Sequence, residues 1–293
     1  MKVLLIIIIV YLLFVLFFFM MSFSKFFKVP IQMLVPKKAY SNYLINKEKM
    51  LSLPRKDITI QNGKLTLRGH YIEGKNAKRT VIMVHGWRSN WILDFAPQAF
   101  WMLENECNLL MIEQRARGSD GIFITFGIKE KDDLHCWMNY IEENTDLPCY
   151  LYGTSMGATT VLMVSNLENK LLKGIIADSA FTNPYQELKE AGKSWFHLPE
   201  YPFLPTLNLY CKLLMGVDYK AYSTIDVLKE AKYPILLFHG TNDNFVNCHM
   251  SKDNYEVIPT KKELYIYEGV SHCASYAMKT SEYQKILLDF FNS

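Results

Sequence analysis

Charge is missing from Val3 to Met21, nineteen consecutive residues that are apolar apart from the amphipathic Tyr11. Cysteine is sparse: six residues, at 107, 136, 149, 211, 248 and 273, with no CxxC pair and no dense framework. That excludes a disulfide-stapled scaffold, and thiols falling in apolar elements read as ordinary core residues. There is no HExxH and no cysteine–histidine cluster at zinc spacing, so neither a metal nor another cofactor is expected. Glycine and proline together make only 25 of 293 residues and follow no period, which excludes a collagen-like or linker-dominated chain. No internal repeat is visible. Net charge is also small, +3, and no basic cluster accompanies a nucleic-acid-binding motif, so no nucleic acid partner is expected. What is abundant is core material: half the residues are apolar and 21% charged, the balance of a folded chain.

The small net charge hides an asymmetry. Residues 1–50 hold seven lysines and a single acid, Glu48, for a local net charge of +6, which leaves −3 for the remainder. The apolar run, at about 1.5 Å per helical residue, reaches roughly 28 Å, close to the hydrocarbon thickness of a bilayer. It exceeds the apolar region of a signal peptide, and bulky and basic residues, Phe23, Lys25, Phe26 and Phe27, follow it in place of a small-x-small cleavage site. An uncleaved single anchor over 1–22 is expected, with a basic membrane-proximal stem over 23–56 in which Pro30, Pro36 and Pro54 interrupt any long helix. The lysines after the run outnumber Lys2 and lean toward a cytoplasmic body, yet a two-residue tail is easy to translocate, so both orientations stay open.

From Asp57 the pattern changes. Asp57–Ile60 and 64–72 alternate with period two around Asn62-Gly63, the signature of a hairpin. Short β-branched runs follow at 80–84, 108–112, 149–152, 172–177, 235–238 and 264–267, separated by helical stretches at 93–105, 129–143, 156–167, 247–255 and 275–291. Alternating β and α elements predict a mostly parallel sheet with helices on both faces. Residues 181–231 break this rhythm. They hold no clear strand and many aromatics (Tyr185, Trp195, Phe196, Tyr201, Phe203, Tyr210, Tyr219, Tyr222), as expected of a helical cap over a site at the strands' C-terminal edge, with a few of them lining an apolar pocket.

Gly153-Thr154-Ser155-Met156-Gly157 lies directly between a strand and a helix, the context in which G-x-S-x-G forms a nucleophile elbow. A serine hydroxyl needs a base within hydrogen-bonding reach, and the base needs an acid to orient it. His272 follows the last strand and Asp243 the strand before it, so Ser155, Asp243 and His272 occur in the order this architecture uses. Asp178 is the rival acid, one strand earlier. His239 reads as structural, and Cys273, beside His272, is set aside as a nucleophile because neighbours on a turn usually point apart. An oxyanion hole requires two backbone N–H donors. They are expected from Met156, which follows the serine, and from Trp87 in the loop His85-Gly86-Trp87-Arg88-Ser89-Asn90; the Trp87 ring either walls an acyl pocket or simply packs.

Together these residues resemble the α/β-hydrolase superfamily of serine hydrolases over about residues 57–293. The stretch from Glu113 to Gly121 is similar to the family's Asp-x-Arg-Gly-x-Gly-x-Ser; Arg117-Gly118 matches it, while Glu113 and the displaced Gly121 depart from it. Gly127-x-x-Glu130-x-x-Asp133 and Asp178-Ser179-Ala180-Phe181 are similar to bacterial membrane-anchored members and to the prolyl-oligopeptidase-like and acyl-aminoacyl-peptidase-like branches, without their propeller domain. The resemblance implies an α/β-hydrolase fold for 57–293 with the cap at 181–231, and acyl transfer to water through a Ser-His-Asp triad. A carboxylesterase-like activity on a small, apolar or lipid-like acyl substrate is the expectation. An aminopeptidase-like amidase and an inactive scaffold acting as a membrane-bound binding module are the alternatives. Oligomeric state is not fixed by the sequence.

Overall fold

The computed structural model describes residues 1–28, 30 and 37–292; Pro36 lies outside them, as do the side chains of Trp195 and Phe196. Eight strands form one sheet: β1 (Lys56–Asn62), β2 (Leu65–Ile72), β3 (Arg79–Val84), β4 (Cys107–Glu113), β5 (Cys149–Thr154), β6 (Leu172–Asp178), β7 (Ile235–Gly240) and β8 (Lys262–Tyr267). Their order is β1-β2-β4-β3-β5-β6-β7-β8. The β1–β2 hairpin and the β2–β4 pair are antiparallel, and every later pair is parallel. Strands β3 to β7 are buried almost throughout, as parallel strands covered on both faces must be.

Two apolar layers enclose the sheet. On one face Val81, Met83, Tyr152 and Phe238 pack against helices Trp91–Glu104 and Thr280–Phe291. On the other, Ile82, Leu110, Leu151 and Leu237 pack against helices Glu130–Asn144 and Met156–Leu162. A third cluster lies above the strands' C-terminal edge and joins the cap to the N-terminal helix. The cap is built of helices Pro184–Phe196, Phe203–Tyr210 and Thr224–Leu228, with a π-helical turn at Cys211–Met215.

The N-terminal part carries the expected apolar helix and adds contacts that the sequence did not show. Lys2–Phe23 is one helix, long and apolar enough to cross a membrane, but its second half lies on the body: Val15, Phe19 and Phe23 are fully buried. Residue 24 pairs with Phe123, and Ile124 N–H donates to Phe23 O at 2.8 Å. Between Pro36 and Pro54, where a stem was expected, Lys37–Ser52 forms a sixteen-residue helix that starts after one proline and stops before the other. It docks through Met50, fully buried in the first layer beside Tyr43 and Leu53. Its apolar face supplies a docking surface that a solvated stem lacks.

Candidate active site

Strand β5 runs into helix Met156–Leu162 through a single strained residue, Ser155, with φ 54° and ψ −122°. The turn is tight enough to exclude side chains on either flank. A Cβ at Gly157 would lie 1.8 Å from Val84 O, and one at Gly153 would lie 2.2 Å from Gly157 O. Ser155 N–H donates to Asp178 O at 2.8 Å, tying the elbow to the end of β6. Such backbone strain persists only where its surroundings over-determine it.

Loops after β7 and β8 bring the next two residues to the same edge. The loops are bound to each other by Thr241 N–H to Tyr267 O at 2.9 Å and Asn242 N–H to Val270 O at 3.0 Å. Gly240 permits their close approach, since a Cβ there would meet Val270 O at 2.1 Å. His272 Nδ1 lies 2.6 Å from Asp243 Oδ2, and His272 Nε2 lies 3.0 Å from Ser155 Oγ. An ionised carboxylate only accepts, so Nδ1–H donates to Asp243 and Nε2 is left to accept from the Ser155 hydroxyl. Phe245 stacks on the imidazole at 5.0 Å between ring centres.

Asp243 is held on both oxygens. Oδ1 accepts N–H bonds from Phe245 and Val246, each 2.9 Å, and Oδ2 faces His239 Nε2 at 3.2 Å as well as His272. Burial alone would raise this carboxyl, but the imidazoles of His272 and His239 together hold it well below the usual carboxylate range. His239 is itself fixed, with Nδ1 2.6 Å from Ser251 Oγ and Nε2 3.0 Å from Val246 O. Asp178, the rival acid, points elsewhere: its carboxylate accepts from Ser179 Oγ at 3.0 Å, Ser275 Oγ at 3.2 Å and Tyr283 OH at 3.3 Å. Burial pushes it up to about 6, against the pull of His239 and its hydroxyl partners.

The loop after β3 abuts the serine; a Cβ at Gly86 would come within 3.2 Å of Ser155 Cβ. The Trp87 backbone N–H has no hydrogen-bond partner among the described residues. Its indole donates to Ser22 O at 2.9 Å and rests against Phe126 and Phe245, so the ring packs under the end of the N-terminal helix. Asp94 braces this loop and was not singled out in the sequence. It accepts Gly86 N–H at 2.7 Å and Thr154 Oγ1 at 3.0 Å, and also the Ser89 hydroxyl. An acid in a helix's first turn is too common to stand out before the fold is known.

The Gly127-x-x-Glu130-x-x-Asp133 motif proves to be a brace. Glu130 accepts Thr125 N–H at 2.7 Å and Gly127 N–H at 3.0 Å, and Asp133 takes Arg115 in a bidentate pair with both contacts at 2.7 Å. They fix the 115–127 segment beside the site. All six thiols are unpaired. Among the described residues no group of three or more His, Cys, Asp or Glu side chains is placed to hold a metal ion. A groove of about 660 Å³, lined by Pro54, Tyr71, Phe100 and Leu103, opens at the opposite edge of the sheet and shares no residue with the Ser155 cluster.

The signature of the prolyl oligopeptidase family is matched over residues 126–293. The uncharacterized protein YqkD of Bacillus subtilis (strain 168) is 26% identical over 231 residues, 78% of this chain and 75% of that one. The lysophosphatidylserine lipase ABHD12 of Xenopus tropicalis is 23% identical over 178 residues, 55% of this chain and 44% of that one. Among solved structures, an esterase of Pyrococcus furiosus superposes with a TM-score of 0.68 at 25% identity, covering 83% of this chain and 92% of that one. An acylaminoacyl peptidase of Pyrococcus horikoshii gives 0.60 at 16% identity over 84% of this chain and 43% of its own, a likeness of fold alone.

Proposed function

This chain belongs to the prolyl oligopeptidase family, as a serine hydrolase of that type with the α/β-hydrolase fold, and we propose that it is a membrane-associated carboxylesterase acting through Ser155, His272 and Asp243. The observation that carries the proposal is the single imidazole lying 3.0 Å from a strained serine hydroxyl and 2.6 Å from a buried carboxylate. In this reading Ser155 Oγ attacks the acyl carbonyl while His272 Nε2 takes its proton. Asp243 holds the ring in the Nδ1–H tautomer and stabilises the imidazolium. The amides of Met156 and Trp87 receive the oxyanion. His272 then protonates the departing alkoxide, and a water, deprotonated by the same imidazole, releases the acid from Ser155.

An ester substrate with an apolar acyl group is supported by the surroundings of the elbow. Met156, Phe181, Phe126 and Ala116 belong to one apolar cluster, with Trp87 and Phe245 packed against it. The esterase neighbour and the lipase relative agree with that choice, while the match to the prolyl oligopeptidase family keeps an amidase as the alternative. The test is hydrolysis by the full chain of a short- and medium-chain ester panel and an aminoacyl arylamide, with a fluorophosphonate probe titrating Ser155. Ester turnover, lost together with labelling in Ser155→Ala, is the expected result. Arylamide turnover without ester turnover would favour the amidase. A folded chain that takes no label would favour a binding module.

A further inference from the structure

The N-terminal helix has two unlike halves. From Lys2 to Val10 its side chains are exposed, whereas from Tyr11 to Phe23 one side is docked on the cap and, at its C-terminal end, on the loop around Phe123 and Phe126. Tyr11 OH donates to Thr206 Oγ1 at 3.1 Å, and Tyr210 OH donates to Leu12 O at 3.1 Å. Phe18 meets Phe203 edge-on at 5.0 Å, and Phe19 lies 6.2 Å from Tyr210. At its C-terminal end the Arg88 guanidinium donates to the carbonyls of Met21, Ser22, Ser24 and Phe27. This buried cation sits where unsatisfied carbonyls and the helix dipole favour positive charge.

These contacts limit how the helix can meet a bilayer. Tyr11 to Phe23 spans about 18 Å, and the free part before it only about 14 Å, at 1.5 Å per residue. The free part alone falls far short of a hydrocarbon layer roughly 30 Å thick. Deeper insertion requires either stripping Val15, Phe19 and Phe23 from their partners or carrying the adjoining cap into the lipid. The cap is suited to the second course. Leu209, Leu213 and Leu214 are 51%, 69% and 46% exposed, on the same segment that flanks the helix, where Phe14, itself 49% exposed, lies 6.3 Å from the Phe203 ring.

We propose that the cap segment Phe203–Met215 is immersed in the bilayer alongside the N-terminal helix, with lipid hydrocarbon covering Leu209, Leu213 and Leu214. The proposal rests on membrane association through that helix and goes beyond it, because it places the cap itself in the membrane. The backbone of the segment is helical, so its polar groups are largely bonded internally, as hydrocarbon demands. Thr206 is bonded to Tyr11 and to Pro202 O, and Asn208 to Asp218. The one charge within the segment, Lys212, reaches out of it to Asp218 at 2.7 Å, as a lysine at a membrane boundary does. Lys25 and Lys28, exposed just past the helix, then lie at headgroup level.

The test uses the full chain in phosphatidylcholine vesicles whose acyl chains carry bromine. An environment-sensitive fluorophore is placed on Leu213→Cys, Leu209→Cys, Ile7→Cys or Lys170→Cys, with the unsubstituted protein giving the baseline of the native thiols. Lys170, at the opposite edge of the sheet, is the aqueous control. Folding of each variant is checked by circular dichroism, and two cap positions guard against loss of one. The expected result is that labels at 7, 209 and 213 lose most of their fluorescence to bromine while the label at 170 does not. Quenching at 7, with 209 and 213 behaving like 170, overturns the immersed cap and leaves membrane association standing. No quenching at any position removes membrane association itself.

Discussion

The floor and the roof of this site are built from different forces. The floor is directional: an imidazole aligned on two oxygens at 2.6 and 3.0 Å, an aspartate held by two amides, and a serine pinned by Asp178 O. The roof is apolar packing, in which Phe126 alone lies within 6.2 Å of Phe23, Trp87, Phe181 and Tyr219. Hydrogen bonds specify particular atoms, whereas dispersion and burial ask for volume in about the right place. Chemistry is therefore concentrated below and adaptability above.

Ser155→Ala puts the largest strain on that contrast. It removes the proposed nucleophile while leaving the fold intact, and kcat against an ester is expected to fall about 10⁶-fold, with the melting temperature little changed. Asp243→Asn keeps the shape but exchanges an acceptor for an amide, and a loss of about 10⁴-fold in kcat is expected. Asp178→Asn is the matched control. It disturbs hydroxyl contacts and makes no hydrogen bond to His272, so its loss should be about tenfold, the equivalent of one neutral hydrogen bond. Equal losses in the two aspartate variants, measured as kcat, would erase the distinction between the acid facing His272 and the acid beneath the elbow.

The same contrast explains what could be read from the chain. Ser155, His272 and Asp243 stood out because serine-hydrolase chemistry demands those residue types at strand ends, and the apolar runs gave the strand bounds to within two residues. Asp94 did not, since a carboxylate bracing a loop looks like any acid near a helix start. The N-terminal docking was also hidden. Hydropathy reports that Val15 or Phe19 avoids water but not whether lipid or Phe123 receives it. Nor does a row of aromatics between Phe181 and Ala231 say which will be buried: Tyr219 is, and Tyr201 is 68% exposed.

Removing packing from the roof tests its share of the stability. Phe203, 3% exposed between the cap and the helix, should cost about 3–5 kcal/mol as Phe203→Ala. The loss should show as a lower melting temperature in detergent, with fluorophosphonate labelling retained wherever the protein remains folded. A floor that stops labelling in step with loosening of the cap would mean the two regions are not separable.

The smallest effect is expected at the one place where the roof breaks its own rule. Glu187, on helix Pro184–Phe196, is 1% exposed, and neither carboxylate oxygen has a partner among the described residues. Burial raises its carboxyl well above the ordinary range, and the nearby charges of Asp243 and Glu190 push the same way. An acid whose folded pKa is raised is an asset only where it stays protonated in both states. Its contribution is fully present below about 4.3, the unfolded value, and is lost as pH rises toward the folded pKa. Glu187→Met should therefore be more stable than the parent at neutral pH, by about 1–3 kcal/mol, the cost of a buried unsatisfied group. The advantage should shrink as the solution is acidified toward pH 4. Paired melting curves across that range check both the sign and the slope. A parent that equals the variant at neutral pH would show that the carboxylate is compensated, and that the roof, like the floor, uses directional bonds.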